Sequence, residues 1–137
     1  MTSIRHVPLD SDLLPDILQL DRETLPESKP SPNTDWWGAY DGHDLVAYAG
    51  GRALPSGAYF LSRAGVLESH RGQRLQLRLI RARVKYARLK GYPRIVTYTV
   101  PHNAPSMNSL IRAGFRTYDP DVYWAGESVV YWRWVTR

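Results

Sequence analysis

The stretch from Gln73 to Lys90 contains neither glycine nor proline, and it is closed by Gly91-Tyr92-Pro93. A glycine just past the last helical residue and a proline beyond it are strong stop signals, so one long helix is predicted here. β-Rich runs flank it: Ala58 to Val66 before and Arg94 to Val100 (Arg-Ile-Val-Thr-Tyr-Thr-Val) after. Strand, crossover helix and strand make a parallel βαβ unit, and such a crossover is right-handed. Whatever else the chain does, it must be built around that unit.

The remaining segments attach to it simply. Ser3 to Val7 reads as an opening strand. Leu9-Asp10-Ser11-Asp12 then supplies capping groups before Leu13, Leu14, Ile17, Leu18 and Leu20, which recur at helical spacing, with Pro15 in the tolerant first turn. Pro26 to Asn33 carries three prolines and reads as a surface loop. Trp36 to Tyr40, Leu45 to Arg52 and Ala58 to Val66 are strand-like runs separated by Asp41-Gly42 and Pro55-Ser56-Gly57, which suits antiparallel hairpins. A second short helix is expected over Pro105 to Ala113, ended by Gly114. Phe115 to Trp134 is aromatic and β-branched and reads as two closing strands. The expected fold class is α/β with a mixed, largely antiparallel sheet (an α+β arrangement) of about six to seven strands, one parallel pair and about three flanking helices.

A chain of 137 residues, 43% of them apolar, is enough for one domain spanning 1–137 with a real core. No apolar run approaches the roughly 20 residues of a membrane span, and the start lacks a signal-peptide layout. The absence of cysteine excludes disulfides, thiolate metal sites and a cysteine nucleophile, and no metal is suggested by the other residues. A cytoplasmic address with no membrane partner is the simplest expectation. The net charge of +5 comes from 15 Arg against 3 Lys, and the planar guanidinium suits phosphate oxygens. That fits a phosphate-bearing partner, and it fits ordinary solubility equally.

The segment Val66-Leu67-Glu68-Ser69-His70-Arg71-Gly72-Gln73-Arg74-Leu75-Gln76 lies where the strand hands over to the long helix. A helix start presents unpaired amide hydrogens and the positive end of the dipole. Gly72 lets the backbone bend and approach a ligand, while Arg71 and Arg74 add charged donors, so the turn can cradle a diphosphate. A plain strand–helix connector with solvated arginines is the other reading of the same residues.

This segment resembles the pyrophosphate-binding loop of the GNAT superfamily of acyl-CoA-dependent N-acetyltransferases. Arg71 matches the residue that opens the loop and Gly72 the glycine that often follows. Arg74 and Gln76 stand at the two positions where the family usually has glycine or alanine. A second stretch, Asn103-Ala-Pro-Ser106-Met-Asn108-Ser-Leu110-Ile-Arg-Ala-Gly114-Phe115, is similar to the family's other signature, whose Asn holds the pantetheine arm. Read without the family, Asn103 caps a helix and Gly114 ends it. The resemblance implies a GNAT-like fold in which the parallel strands splay apart. It also implies acetyl-CoA (coenzyme A) as cosubstrate, held by Val66, Leu67, Arg71, Gly72, Gln73, Arg74, Leu75, Gln76, Asn103 and Ser106. The implied reaction is transfer of an acetyl or other acyl group to a primary amine of a small molecule or protein.

The family's proton-transfer groups do not carry over. The usual tyrosine four residues before the Gly of Gly-Phe is Leu110 here, and the glutamate some members place five before the Asn is Tyr98. From chemistry alone, His102 is a candidate base because histidine titrates near neutrality, and Tyr98 is a candidate proton donor to the leaving sulfur. A water chain with no dedicated base serves equally. Trp36, Trp37, Tyr118, Tyr123 and Trp124 either fill the core or wall an acceptor cleft. A rival reading follows from Arg71, Arg74, Arg78, Arg81, Lys85 and Arg88, which share one helical arc about 100° wide and could track a nucleic-acid backbone. The acceptor's identity is open in the sequence, as is the choice between a monomer and a homodimer.

Overall fold

The computed structural model describes residues 1–135; the last two residues of the expected 1–137 domain lie outside that range. Seven strands form one sheet in the order β1-β2-β3-β4-β5-β7-β6. They are β1 (Thr2–Val7), β2 (Asp35–Asp41), β3 (Asp44–Ala53), β4 (Tyr59–Val66), β5 (Ile95–Thr99), β6 (Phe115–Thr117) and β7 (Val130–Trp134). The helices are α1 (Leu14–Thr24), α2 (Leu75–Leu89) and α3 (Ala104–Ala113), and a 3-10 turn covers Glu68–His70. Every pairing is antiparallel except β4 with β5, as the crossover requires. No helix among the described residues is long and apolar enough to cross a membrane.

Alternation along the strands divides the side chains between two faces. On one face Trp37, Tyr59, Leu61, Ile95, Phe115 and Trp132 meet Leu75, Leu79, Ile80 and Val84 of α2 and Leu110 of α3. On the other, Trp36 and Tyr48 pack on Ile17 and Leu20 of α1. Further along that face, Phe60 and Val96 are covered by Tyr118 and Trp124. Arg83 of α2 is 3% exposed, and its guanidinium donates to the carbonyls of Leu79 (3.1 Å) and Gly50 (2.9 Å). Burial pushes its pKa down to about 10, so it remains charged at neutral pH.

What positions the site is the seam between β4 and β5. Only Tyr59↔Ile95 and Phe60↔Val96 are in register, and beyond them the strands diverge. Two features open the fork. On the β3 side, the register shifts between Gly50 and Gly51, so that Arg63 and Leu61 face consecutive glycines and Ser62 is the extra residue of a bulge. A bulge bends its strand and increases its twist. On the β5 side, Thr97 Oγ1 donates to the Leu61 carbonyl at 2.7 Å, replacing a ladder bond where the ladder stops. β4 is also anchored to α1 and the loop after it by Arg63, whose Nε lies 2.7 Å from Asp21 Oδ1 and whose Nη atoms donate to Ser28 Oγ and O.

Candidate active site

A cavity of about 700 Å³ opens where the two strands part. Val66, Arg71, Gly72, Arg74, Leu75, Gln76, Asn103 and Ser106 all line it, so the two sequence motifs, some thirty residues apart, meet on one wall. Ala64, Gly65, His70, Leu79, Pro105 and Ser109 complete the lining. Leu67 and Gln73, expected among the cofactor contacts, are not part of this lining. The reason for Leu67 is its main chain: its N–H donates to the Val46 carbonyl at 2.9 Å, and its carbonyl receives the His70 N–H at 2.9 Å. Because alternate residues of a strand turn their peptide groups to opposite sides, Gly65 faces β3 with Leu67. Ala64 and Val66 then face the gap. Gln73 is exposed within the turn, and α2 starts two residues later than its pattern suggested.

That delay has a conformational cause. Gly72 has φ +81° and Arg74 φ +60°, two left-handed residues bracketing Gln73. A Cβ at Gly72 would meet nothing within 4 Å, so glycine is needed there for its backbone angle and not for space. Arg74 adopts the angle that a glycine at this position takes easily, at a cost of about 1–2 kcal/mol for an L-residue. The helix then begins with no side-chain cap, and its first bond runs from Arg78 N–H to Arg74 O. The amides of Leu75, Gln76 and Leu77 are left without an acceptor among the described residues, directed at the turn. Gln76 does not fill the bend. Its Nε2 reaches sideways to Ser106 Oγ at 2.8 Å and ties α2 to α3. The Arg71 Nε donates to the Val66 carbonyl at 3.4 Å, across the mouth.

Asn103 caps α3, its Oδ1 receiving the Ser106 N–H at 3.3 Å, and its amide nitrogen has no partner among the described residues. The capping reading and the binding reading of Asn103 are therefore compatible, one for each end of the same amide. Leu110 is buried in the core, as an apolar residue on that face of α3 must be.

His102 and Tyr98 are not brought together. His102 is exposed in the short turn between β5 and α3 and lies outside the cavity lining. Tyr98 belongs to β5 just past the last paired residue, and its ring points to the face opposite α2. There it stacks on Phe60 (5.6 Å, 20°) and meets Trp124 edge-on (5.6 Å), with part of its surface in solvent. Trp36 and Trp37 are buried on opposite faces of the sheet and are core residues, unavailable to an acceptor. The basic stripe on α2 is also interrupted: Arg71 bonds Val66, Arg78 donates to Thr2 Oγ1 and O, and Arg88 lies 5.0 Å over the Trp134 ring.

One contact had no sequence signal. Asp41, at the β2–β3 turn, accepts from His70 Nε2 at 3.0 Å, and Ser69 Oγ lies 2.8 Å from His70 Nδ1. The His70 hydrogen bond, then the nearby N-terminal ammonium, hold the Asp41 carboxyl below its ordinary value. A carboxylate depressed in this way contributes stability that is complete above its unfolded pKa, about 4, and is lost as pH falls through the folded value. In an acid titration, the His70 ring resonances should therefore show a step below the usual aspartate range. Asp41→Asn should abolish that step, and a step at the ordinary aspartate value would mean the contact does not persist in solution.

The profile of the acetyltransferase (GNAT) family matches residues 6–115 of the chain. No curated protein matches the sequence. Among solved structures, an IAA acetyltransferase from Bacillus cereus superposes with a TM-score of 0.76 at 14% identity, covering 98% of this chain and 99% of that one. An acetyltransferase from Bacillus subtilis, solved in complex with CoA, gives 0.73 at 17% identity with both chains fully covered. The ribosomal-protein-S18-alanine N-acetyltransferase of Escherichia coli gives 0.73 at 14% identity, over 98% of this chain and 93% of that one. At such identities these likenesses speak for the fold, whereas the profile match spans most of the chain, including both cavity-lining motifs. The chain belongs to the GNAT family of acetyltransferases.

Proposed function

We propose that residues 1–137 form a single domain that transfers an acetyl group from acetyl-coenzyme A to an amine. The observation that carries this reading is the shared cavity: the Gly72 turn with its unpaired amides and Asn103 line one opening at the β4–β5 fork. The turn fits a diphosphate, since its donors are free and the space above Gly72 is empty. Arg71 and Arg74 add charge-assisted bonds to the phosphate oxygens. Ala64 and Val66 offer main-chain groups along the gap to the pantetheine arm, much as an added strand would use them. The Asn103 amide nitrogen and the Ser106 hydroxyl face the same arm.

Bound acetyl-CoA supplies an activated acyl carbon and a thiolate leaving group. The protein's part is to hold that carbon at the fork, admit a neutral amine from the Tyr98 face and deliver a proton to the departing sulfur. Tyr98, partly exposed on β5 two residues past the final register pair, is the candidate for the last task. Neither Tyr98 nor His102 lines the cavity, and His102 has the weaker claim because it sits in the exposed turn beyond β5. Two measurements test the reading. Acetyl-CoA at about 100 times its Kd should stabilise the protein by roughly 2.7 kcal/mol, a shift of several degrees in melting temperature. Thiol release from acetyl-CoA should depend on an added amine. Tyr98→Phe should lower kcat at least tenfold and His102→Ala less than threefold. If neither a melting shift nor amine-dependent thiol release is found, the assignment fails.

A further inference from the structure

The segment between β6 and β7 is acidic within a basic chain. Asp119, Asp121 and Glu127 fall within it, and no Lys or Arg occurs between Arg116 and Arg133. Between the two closing strands it folds back as a loop over the sheet face opposite α2. Tyr131 fixes the fold-back, its hydroxyl donating to the Gly126 carbonyl at 2.7 Å and accepting the Ala125 N–H at 2.8 Å. Beside it opens a second cavity of about 450 Å³. Its walls are the rings of Tyr118, Tyr123 and Tyr131 together with Val129 and Val130, and its carboxylates are Asp119 and Glu127. Tyr123 donates to Asp119 at 2.8 Å. Its phenol is pushed up, first by that hydrogen bond and then by the Asp119 charge.

Aromatic faces with carboxylates at their edge make a receptor for an ammonium group. Tyr118 already shows this chemistry internally, since Arg133 sits 5.3 Å from its centroid. Packed rings on neighbouring strands also link the cleft to the fork, since Tyr131 of β7 pairs with Tyr98 of β5. Tyr98 meets Trp124 at 5.6 Å, Trp124 meets Tyr131 at 5.3 Å, and Tyr131 stacks on Tyr123 at 5.9 Å. An aromatic track therefore runs from the β4–β5 opening across β5 and β7. With strands spaced by about 4.8 Å, the cleft lies on the order of 10 Å from the fork.

Resting on the acetyl-transfer reading above, we propose that this cleft binds a second, charged nitrogen of the acceptor, and that the acceptor is a flexible aliphatic di- or polyamine. The amine at the fork must be neutral to attack, while the distal ammonium keeps its charge between Asp119, Glu127 and the tyrosine rings. The methylene chain between them passes over the partly exposed Trp124. A slender chain with charge at its far end matches a track that is apolar along its length and acidic at its end.

The test compares spermidine and 1,8-diaminooctane with butylamine, in binding and in turnover. Binding is read without cofactor from tryptophan fluorescence or from chemical shifts of the 118–131 segment. Turnover is read as thiol release from acetyl-CoA. The long amines should show a KM at least tenfold below that of butylamine, and Glu127→Gln and Asp119→Asn should remove most of that advantage while leaving kcat and the butylamine KM unchanged. Both side chains are exposed, so the variants keep the fold. Equal KM values for long and short amines in the wild type would overturn the proposal. So would variants that weaken both alike, or tight binding confined to lysine-containing peptides. If spermidine binds in a Glu127-dependent way but no amine is acetylated, the cleft stands and the acetyl-transfer reading falls. If amines are acetylated without regard to length, the reverse holds.

Discussion

Replacing Arg63 with methionine should lower the free energy of unfolding by about 3–5 kcal/mol, the loss expected when one partner of a buried ion pair is removed. Asp21 is 1% exposed, and its carboxylate lies 2.7 Å from Arg63 Nε. Without the guanidinium, that charge stays in the core with no counter-charge. The two bonds to Ser28 go as well, freeing the proline-rich loop from β4. For a domain of this size the melting temperature should fall on the order of 10–15 °C. The double variant Asp21→Leu/Arg63→Met should recover most of the loss, because no charge is then stranded. Urea unfolding of the three proteins decides the matter. A loss under about 1 kcal/mol in the single variant would show that water reaches the pair.

The second large effect concerns affinity. Arg71→Ala combined with Arg74→Ala should weaken CoA binding about a hundredfold or more, since each charge-assisted bond to phosphate is worth roughly 1.5–3 kcal/mol. A pantetheine thioester, which has no diphosphate, should bind both proteins alike, and calorimetry with the two ligands separates loss of the phosphate grip from collapse of the cavity. Arg74→Gly should act in two directions at once. It removes a cation from the turn and also the left-handed strain at φ +60°, so the unliganded protein should gain about 1 kcal/mol while the complex weakens. Unchanged CoA affinity in the double variant would mean that the amides of the turn hold the phosphates alone.

Much of this arrangement was legible in the sequence because its signals are local. The uninterrupted run ended by Gly91 and Pro93 marked α2, and the β-rich runs on either side fixed the parallel crossover. Asn103 and Gly114 do what their positions imply, capping α3 at its two ends. The start of α2 was misplaced because Arg74 is left-handed, a conformation that arginine's own preferences do not predict. Leu67 was expected to face the cofactor, and only the strand pairing to Val46 shows that its peptide group turns the other way. The two closing strands stand within Phe115 to Trp134 as expected, and Tyr118 and Trp124 between them cover a sheet face. Contacts such as Asp41–His70 and Arg63–Asp21 join residues far apart in the chain, and nothing local encodes them.

Among the described residues, only two register pairs join β4 to β5 in the ladder, with the Thr97–Leu61 bond beside them, so the sheet is better pictured as two leaves on a short spine, with α2 as the binding tape along one side. A molecule lodged between the leaves would complete the missing stitches. Occupancy of the opening and the stiffness of the whole protein would then be one property, and the empty form would be the one most open to proteolytic turnover.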